Sequence, residues 1–211
     1  MSYAELYCQS NFSFLQGASH PEELILQADK LGYSALAITD ECSVAGVVRA
    51  YREIKDKKLA IKLIVGANFQ LEDGLKLILL APNRQGYAEL CRVITNARRR
   101  CEKGHYQFTY WDLHSIKHCF VLWLPSGELE KDQQDITTLL RYHRARLSLA
   151  YTRFLHSNEV IFKQHCQRLA KQFQLNIVAC GGVLIHVAQR QKLQDILTTI
   201  RHGKMLKDMG V

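Results

Sequence analysis

The chain has 211 residues and a formal net charge of +8, a balance that suits contact with a polyanion such as nucleic acid. Hydrophobic residues make up 47% of it, enough for one barrel-sized core. No stretch approaches the roughly 20 apolar residues that cross a bilayer, so no membrane partner is expected. In chain order, Tyr3 to Cys8 reads as a strand, and Ser19-His20-Pro21-Glu22 as a capping box with an early proline. The helix that follows sets Leu24, Ala28 and Leu31 on one face and stops at Gly32. Ala35 to Ile38 is a second strand. Val44 to about Lys57 is a second helix, with Val47, Val48, Tyr51 and Ile54 as its buried stripe.

Ile61 to Val65 reads as a third strand. Phe69 to Leu71, Asp73-Gly74 and Leu75 to Ala81 then read as a hairpin, because Asp-Gly suits a tight turn with positive φ. Arg84 to Cys101 is helical and carries the basic run Arg98-Arg99-Arg100. Phe120 to Leu124 is a strand broken at Pro125-Ser126-Gly127. Glu128 to Gln134 reads as a loop before a helix over Ile136 to Tyr142. Strands at Leu147 to Tyr151 and Ile177 to Cys180 flank a helix from Glu159 to Phe173, and a helix from about Lys192 to Arg201 closes the pattern. Repeated βα units without a long linker predict a parallel sheet or barrel, in one domain over residues 1–211. Such folds put their chemistry at the C-terminal ends of the strands.

Seven cysteines, an odd number without a CxxC pair, point to reduced, buried thiols rather than a disulfide framework or a zinc knuckle. The opening MSYAELYCQSNF lacks a basic segment leading into an apolar run, so no secretory leader is expected and the cytoplasm is the expected compartment.

Several segments together carry a resemblance. They are YAELYCQSNFSFLQGASHPEEL, LGYSALAITDECSVAGVVRAY, KLIVGANFQLEDGLKLILLAPNRQGYAELCRVITNARRR, EKGHYQFTYWDL, NIVACGGVLIH and LQDILTTIRHGKML. Their order and spacing resemble the PHP domain (polymerase and histidinol phosphatase type) that opens bacterial C-family DNA polymerases of the DNA polymerase III alpha type. SNFSFLQGASHPEEL and AITDECSVAGVVRA resemble the error-prone, translesion branch. The resemblance implies an α/β fold, a distorted (βα)7 TIM-like barrel. In metal-binding members it implies zinc or manganese ions at the strand ends that hydrolyse phosphoesters. Several ions neutralise the phosphate and lower the pKa of a bound water, and they need imidazole or carboxylate ligands converging on one cavity.

Against that requirement, the matching positions of this chain change chemistry. The His-x-His of the first strand reads Tyr7-Cys8-Gln9, and a later carboxylate reads Gln16. Thr-Asp-His reads Thr39-Asp40-Glu41, and Gly-x-Glu reads Gly66-Ala67-Asn68. Asp-x-His reads Gly182-Val183-Leu184, with His186 two residues on. Asp40, Glu41 and His186 are the remnant set, and the resemblance implies no bound cofactor and no catalytic residue in this domain.

The alternative is a metal-dependent 3′-to-5′ exonuclease or phosphoesterase built on Asp40, Glu41 and His186. Asp40 also suits a turn or helix cap before the Val44 helix, and His186 a hydrogen-bonded pocket histidine. Gly181-Gly182 suits close packing at a strand end. His114 and His118, four apart, could face one ion only if both stood on one helix face. Arg98, Arg99 and Arg100, with Arg92, Lys103 and the neighbouring Tyr106, Phe108, Tyr110 and Trp111, are candidates for nucleic-acid contact; a solvated helix face and aromatics packed on the barrel are the competing reading. The partners implied are the remaining domains of a polymerase, and DNA in that setting. The polymerase palm is absent from these 211 residues, so the chain is expected as a truncated piece or an isolated domain.

Overall fold

A computed structural model describes residues 3–154 and 157–208. Contacts divide the chain into two compact units, residues 1–65 with 182–211, and residues 66–181. The described residues form seven strands, the third of which begins in the first unit and ends in the second.

In the first unit, β1 (Ala4–Glu5) pairs in parallel with β2 (Ala35–Ile38), which pairs in parallel with the start of β3 (Lys62–Gln70). The expected Tyr3 to Cys8 strand is thus short, and the chain re-enters the ladder at Cys8, bridged to Val183. Helix α1 (Pro21–Lys30) begins one residue later than the capping box suggested. His20 is its N-cap, and its N–H is accepted by the Glu23 carboxylate at 2.8 Å. The displaced Ser19 is engaged by His186 instead. Leu24, Ile25 and Ala28 are buried, but Leu31 lies beyond the last turn and is exposed.

Helix α2 (Val47–Lys57) buries Ala50, with Val47 and Ile54 partly covered. Val48 and Tyr51, read as part of its buried stripe, face solvent at 63% and 51% exposure. Helix α7 (Gln191–His202) is the last α-helix among the described residues of this unit.

In the second unit, β3 does not stop at Val65; it continues through Gly66-Ala67-Asn68 to Gln70, merging two predicted strands. The Asp73-Gly74 turn forms as expected, with Leu71 N–H to Leu75 O at 2.9 Å and Gly74 at φ +89°. It leads into β4 (Lys76–Ala81), which runs antiparallel to β5 (Phe120–Leu124), so the sheet is mixed rather than wholly parallel. β6 (Leu147–Thr152) and β7 (Ile177–Cys180) extend it in parallel.

Helix α3 (Arg84–Arg99) is capped by Asn83, whose side chain accepts the Gly86 N–H at 3.0 Å. A short helix α4 (Tyr110–Ser115) carries no apolar periodicity long enough to announce it. Helix α5 (Leu129–His143) starts seven residues earlier than expected, absorbing the polar stretch read as a loop. Its early turn is held by Asp132, whose carboxylate gathers Ser126 and Gly127. Helix α6 spans Glu159–Phe173. The core of this unit is built on Phe69, Leu77, Leu79, Leu90, Trp123 and Leu149, all fully buried.

Candidate functional site

The strand ends of the first unit come together through main-chain bonds. Gln9 N–H donates to Val183 O and Val183 N–H to Tyr7 O, both at 2.9 Å. Thr39 N–H donates to Cys8 O at 2.8 Å, and Ala18 N–H to Leu184 O at 2.9 Å. Tyr7, Gln9, Asp40, Glu41 and Leu184 are therefore carried on neighbouring segments. Gly182, which precedes the bridge, adopts φ +61°, a conformation that favours glycine. Asn68 is buried on β3, in the second unit.

Asp40 is fully buried at the end of β2. Its Oδ1 accepts the Ser10 N–H at 2.7 Å and the Ser13 hydroxyl at 2.8 Å, and its Oδ2 lies 2.8 Å from the Ser10 hydroxyl. Burial pushes its pKa up, and the hydrogen bonds from Ser13 and Ser10 only partly oppose that. Asp40 does not cap α2, whose N-cap is Gly46. Gly46 instead passes so close that a Cβ there would stand 2.7 Å from Asp40 Oδ2 and 3.0 Å from Ser10 Oγ.

Glu41, next along, donates its N–H to Ser13 Oγ at 2.9 Å, while its carboxylate accepts the Gln16 side-chain amide. His186 is drawn elsewhere. Its N–H donates to Ser19 Oγ at 2.9 Å, its Nδ1 lies 2.8 Å from the same oxygen, and Glu23 Oε2 is 3.8 Å away. For Glu23, partial burial is outweighed by the His20 N–H, Arg190 and His186, which together hold its carboxyl below the usual range.

These residues do not fit the multi-ion centre that the fold type can carry. The side chains of Asp40, Glu41 and His186 engage separate partners: Ser10 and Ser13, Gln16, and Ser19. Among the described residues, no three His, Cys, Asp or Glu side chains are placed to share an ion. Tyr7, Gln9, Gln16, Gly182 and Leu184 offer a phenol, amides, a bare backbone and an alkyl group rather than imidazoles or carboxylates, and Asn68 in the second unit offers an amide.

The other candidates lie in the second unit. The His114 ring lies tilted against Tyr142 with centroids 3.8 Å apart, and His118 donates its N–H to Glu89 at 3.0 Å; the four-residue spacing falls across the end of α4 rather than on one helix face. Of the basic run, Arg98 lies over the Tyr106 ring at 5.3 Å and Arg100 pairs with Asp112, leaving Arg99 as an exposed cation. Of the aromatics, Phe108 is buried against Phe69 at 4.7 Å and the Tyr110 hydroxyl bonds Asp73, whereas Trp111 is 82% exposed.

Sequence reasoning did not find a cleft of about 860 Å³ at the ends of β5 and β6, lined among others by Ser126, Phe154, Asn158, His165 and Arg168. Its one available signal was Pro125-Ser126-Gly127 ending a strand, followed by Asp132.

Comparison with known proteins bears on this arrangement. Error-prone DNA polymerases align with 58% identity over 100% of the chain for that of Vibrio vulnificus (strain YJ016) and 46% over 99% of it for that of Methylococcus capsulatus. The chain spans 20% of the length of these relatives. Among solved structures, a putative metal-dependent phosphoesterase from Bifidobacterium adolescentis superposes with a TM-score of 0.61 over 88% of each chain at 12% identity. An amidohydrolase from Chromobacterium violaceum superposes with a TM-score of 0.57 over 87% of this chain and 88% of its own, also at 12% identity. Such distant likeness speaks for fold alone, and it agrees with the α/β, TIM-like fold expected from the sequence. The PHP domain family matches residues 5–179, and with that span the chain belongs to the PHP domain family.

Proposed function

We propose that this chain is the PHP domain, over residues 1–211, of an error-prone bacterial C-family DNA polymerase, with a degenerate metal site and a structural role. It would serve DNA replication and translesion repair in the cytoplasm, next to the remaining domains of the polymerase and to DNA. The identity of 58% along the whole chain supports the parentage, and the 20% share of the relatives' length supports a setting among further domains. Among the described residues, no helix is long and apolar enough to cross a membrane.

The observation that carries the structural role is the state of Asp40. Three of the four lone-pair positions of its carboxylate already accept one N–H and two hydroxyls, which leaves at most one for an ion. A carboxylate so used ties Ser10 and Ser13 to the end of β2. Arg92, Arg99, Lys103 and Trp111 are exposed groups that suit contact with DNA.

Purified protein loaded with manganese or zinc and desalted is expected to retain well under one ion per chain by elemental analysis. On 3′-labelled primer it is expected to remove no nucleotides. Stoichiometric tight metal, or exonuclease activity abolished by Asp40→Ala, refutes the structural role.

A further inference from the structure

We infer that the outward face of α4, with Tyr142 of α5 beside it, is a stacking platform for single-stranded DNA; the inference rests on, and sharpens, the DNA contact proposed above. Helix α4 buries Asp112 and Leu113 and turns Tyr110, Trp111 and a partly covered His114 outward, because residues three and four apart on a helix are surface neighbours. The rings form a row. Ring centroids are 6.5 Å apart for Tyr110 and His114, 3.8 Å for His114 and Tyr142, and 6.4 Å for Tyr142 and the buried His143 that anchors the inner end. Tyr110 and Tyr142 are each 38% exposed, and Trp111 at the edge of the row is 82% exposed. Aromatic area is unfavourable to leave in water, and exposed rings are what unpaired bases stack on.

The charge around the row has one sign to offer. Burial, then the charges of Lys117 and Arg141, hold the His114 pKa below its ordinary value, so the ring is neutral at pH 7 and the two cations lie close to it. Lys117 and Arg141 are exposed, and among the described residues neither pairs with a carboxylate. Acids that border the helix are engaged: Asp112 by Arg100, Glu89 by three main-chain N–H groups, Asp73 by the Tyr110 hydroxyl. The Arg100–Asp112 pair also holds the end of α3, with exposed Arg99, against the start of α4, with Trp111. Cations beside open aromatic faces complement a strand of phosphates that carries flat bases. In a duplex those base faces are stacked on one another, so the complement is an unpaired strand.

Fluorescence anisotropy of a labelled oligo(dT) of about 16 nucleotides, and of a duplex of the same length, titrated with the purified chain, tests this. The single strand is expected to bind about tenfold tighter than the duplex. Of the two tryptophans, Trp123 is fully buried, so quenching of the intrinsic emission by unlabelled strand reports Trp111. Trp111→Ala is expected to abolish the quenching and weaken binding about tenfold, with thermal unfolding unchanged, and Trp111→Phe to restore the affinity. Lys117→Gln with Arg141→Gln is expected to flatten the slope of log affinity against log salt by about 1.4, the share of two phosphates on a single strand. Equal affinity for the two forms of DNA overturns the platform, and so does a wild-type salt slope in the double variant. If Arg92→Gln with Arg99→Gln and Lys103→Gln then weakens binding, the DNA contact stands on the basic residues and the platform alone is removed. A chain that binds neither form of DNA removes both.

Discussion

Ser10 grips Asp40 with two groups, its N–H at 2.7 Å from Oδ1 and its hydroxyl at 2.8 Å from Oδ2, although 30 residues separate them in the chain. Ser13 adds a third donor, and Gly46 passes within a distance that forbids a side chain. The carboxylate is thus the hub that joins the loop after β1 to the end of β2.

Asp40→Ala is therefore expected to strand one N–H and two hydroxyls in a buried site and cost about 2–4 kcal/mol by urea unfolding. Asp40→Asn keeps one acceptor oxygen and is expected to cost about half as much. Burial raises the Asp40 pKa in the folded chain, so the folded state holds that proton more firmly than the unfolded one. Its contribution is then full below the unfolded carboxyl value and declines as pH rises through the folded value. The stability gap between wild type and Asp40→Asn should narrow from pH 3.5 to pH 7. A gap that widens over that range contradicts the buried, hydrogen-bonded carboxyl.

His143, at the end of α5, is 1% exposed, and burial followed by the charge of Arg146 depresses its pKa to about 4; Lys117 and His114 add in the same direction, while the Leu113 main chain opposes them. Between about pH 6.5 and 4 the unfolded chain takes up a proton that the folded chain refuses. Stability should therefore be full above the unfolded value and fall by up to about 3 kcal/mol as pH drops through this window. His143→Leu should flatten that part of the pH–stability curve, read by thermal unfolding at closely spaced pH values. An unchanged slope would assign the acid sensitivity to other groups.

Glu89 sits on α3 with its carboxylate accepting three successive main-chain N–H groups, those of Lys117, His118 and Cys119, at 2.6 to 3.0 Å. Burial pushes its pKa up, but these bonds outweigh it and the net shift is downward. The stabilisation is present above the usual glutamate value and is lost as pH falls through the lower folded value. Glu89→Ala should cost about 3 kcal/mol by leaving the entry to β5 uncapped, and Glu89→Gln less, because one oxygen still accepts. Hydrogen exchange offers a local readout: the Lys117 and Cys119 amides should lose protection before those of β6.

What the sequence revealed and what it hid divide along physical lines. β2, α6 and β7 were legible to the residue because their apolar patterns end at turn-forming neighbours. The stripe on α2 was misread at Val48 and Tyr51, since periodicity says which residues share a face but not whether anything covers it. The α1 cap moved from Ser19 to His20 because Ser19 is bound by a residue 167 positions away, a relationship that local pattern cannot carry. At the candidate site, the resemblance singled out Asp40, Glu41 and His186 as a remnant set, whereas their partners, Ser10, Gln16 and Ser19, come from loop geometry. Asp132 was read as part of a polar loop, because a buried carboxylate looks like a solvated one until its donors are seen.

The Asp132–His165 pair carries the last prediction. Asp132 is fully buried on α5, and its carboxylate accepts the Ser126 N–H and hydroxyl at 2.8 Å and the Gly127 N–H at 3.0 Å, while His165 Nε2 on α6 lies 2.7 Å from Oδ2. The pair ties the β5–α5 turn to α6 along one wall of the cleft. Removing the histidine leaves the carboxylate three donors, whereas removing the carboxylate orphans all four. Asp132→Ala should therefore cost about 3–5 kcal/mol and His165→Ala about half that. Alanine at both positions should cost less than the sum of the two, because the histidine has nothing left to bond once the carboxylate is gone. The difference should be about 1.5–3 kcal/mol, the range for a hydrogen bond to a charged group. Additive costs would mean that the two side chains do not share a proton, and that the wall of the cleft is held by α5 alone.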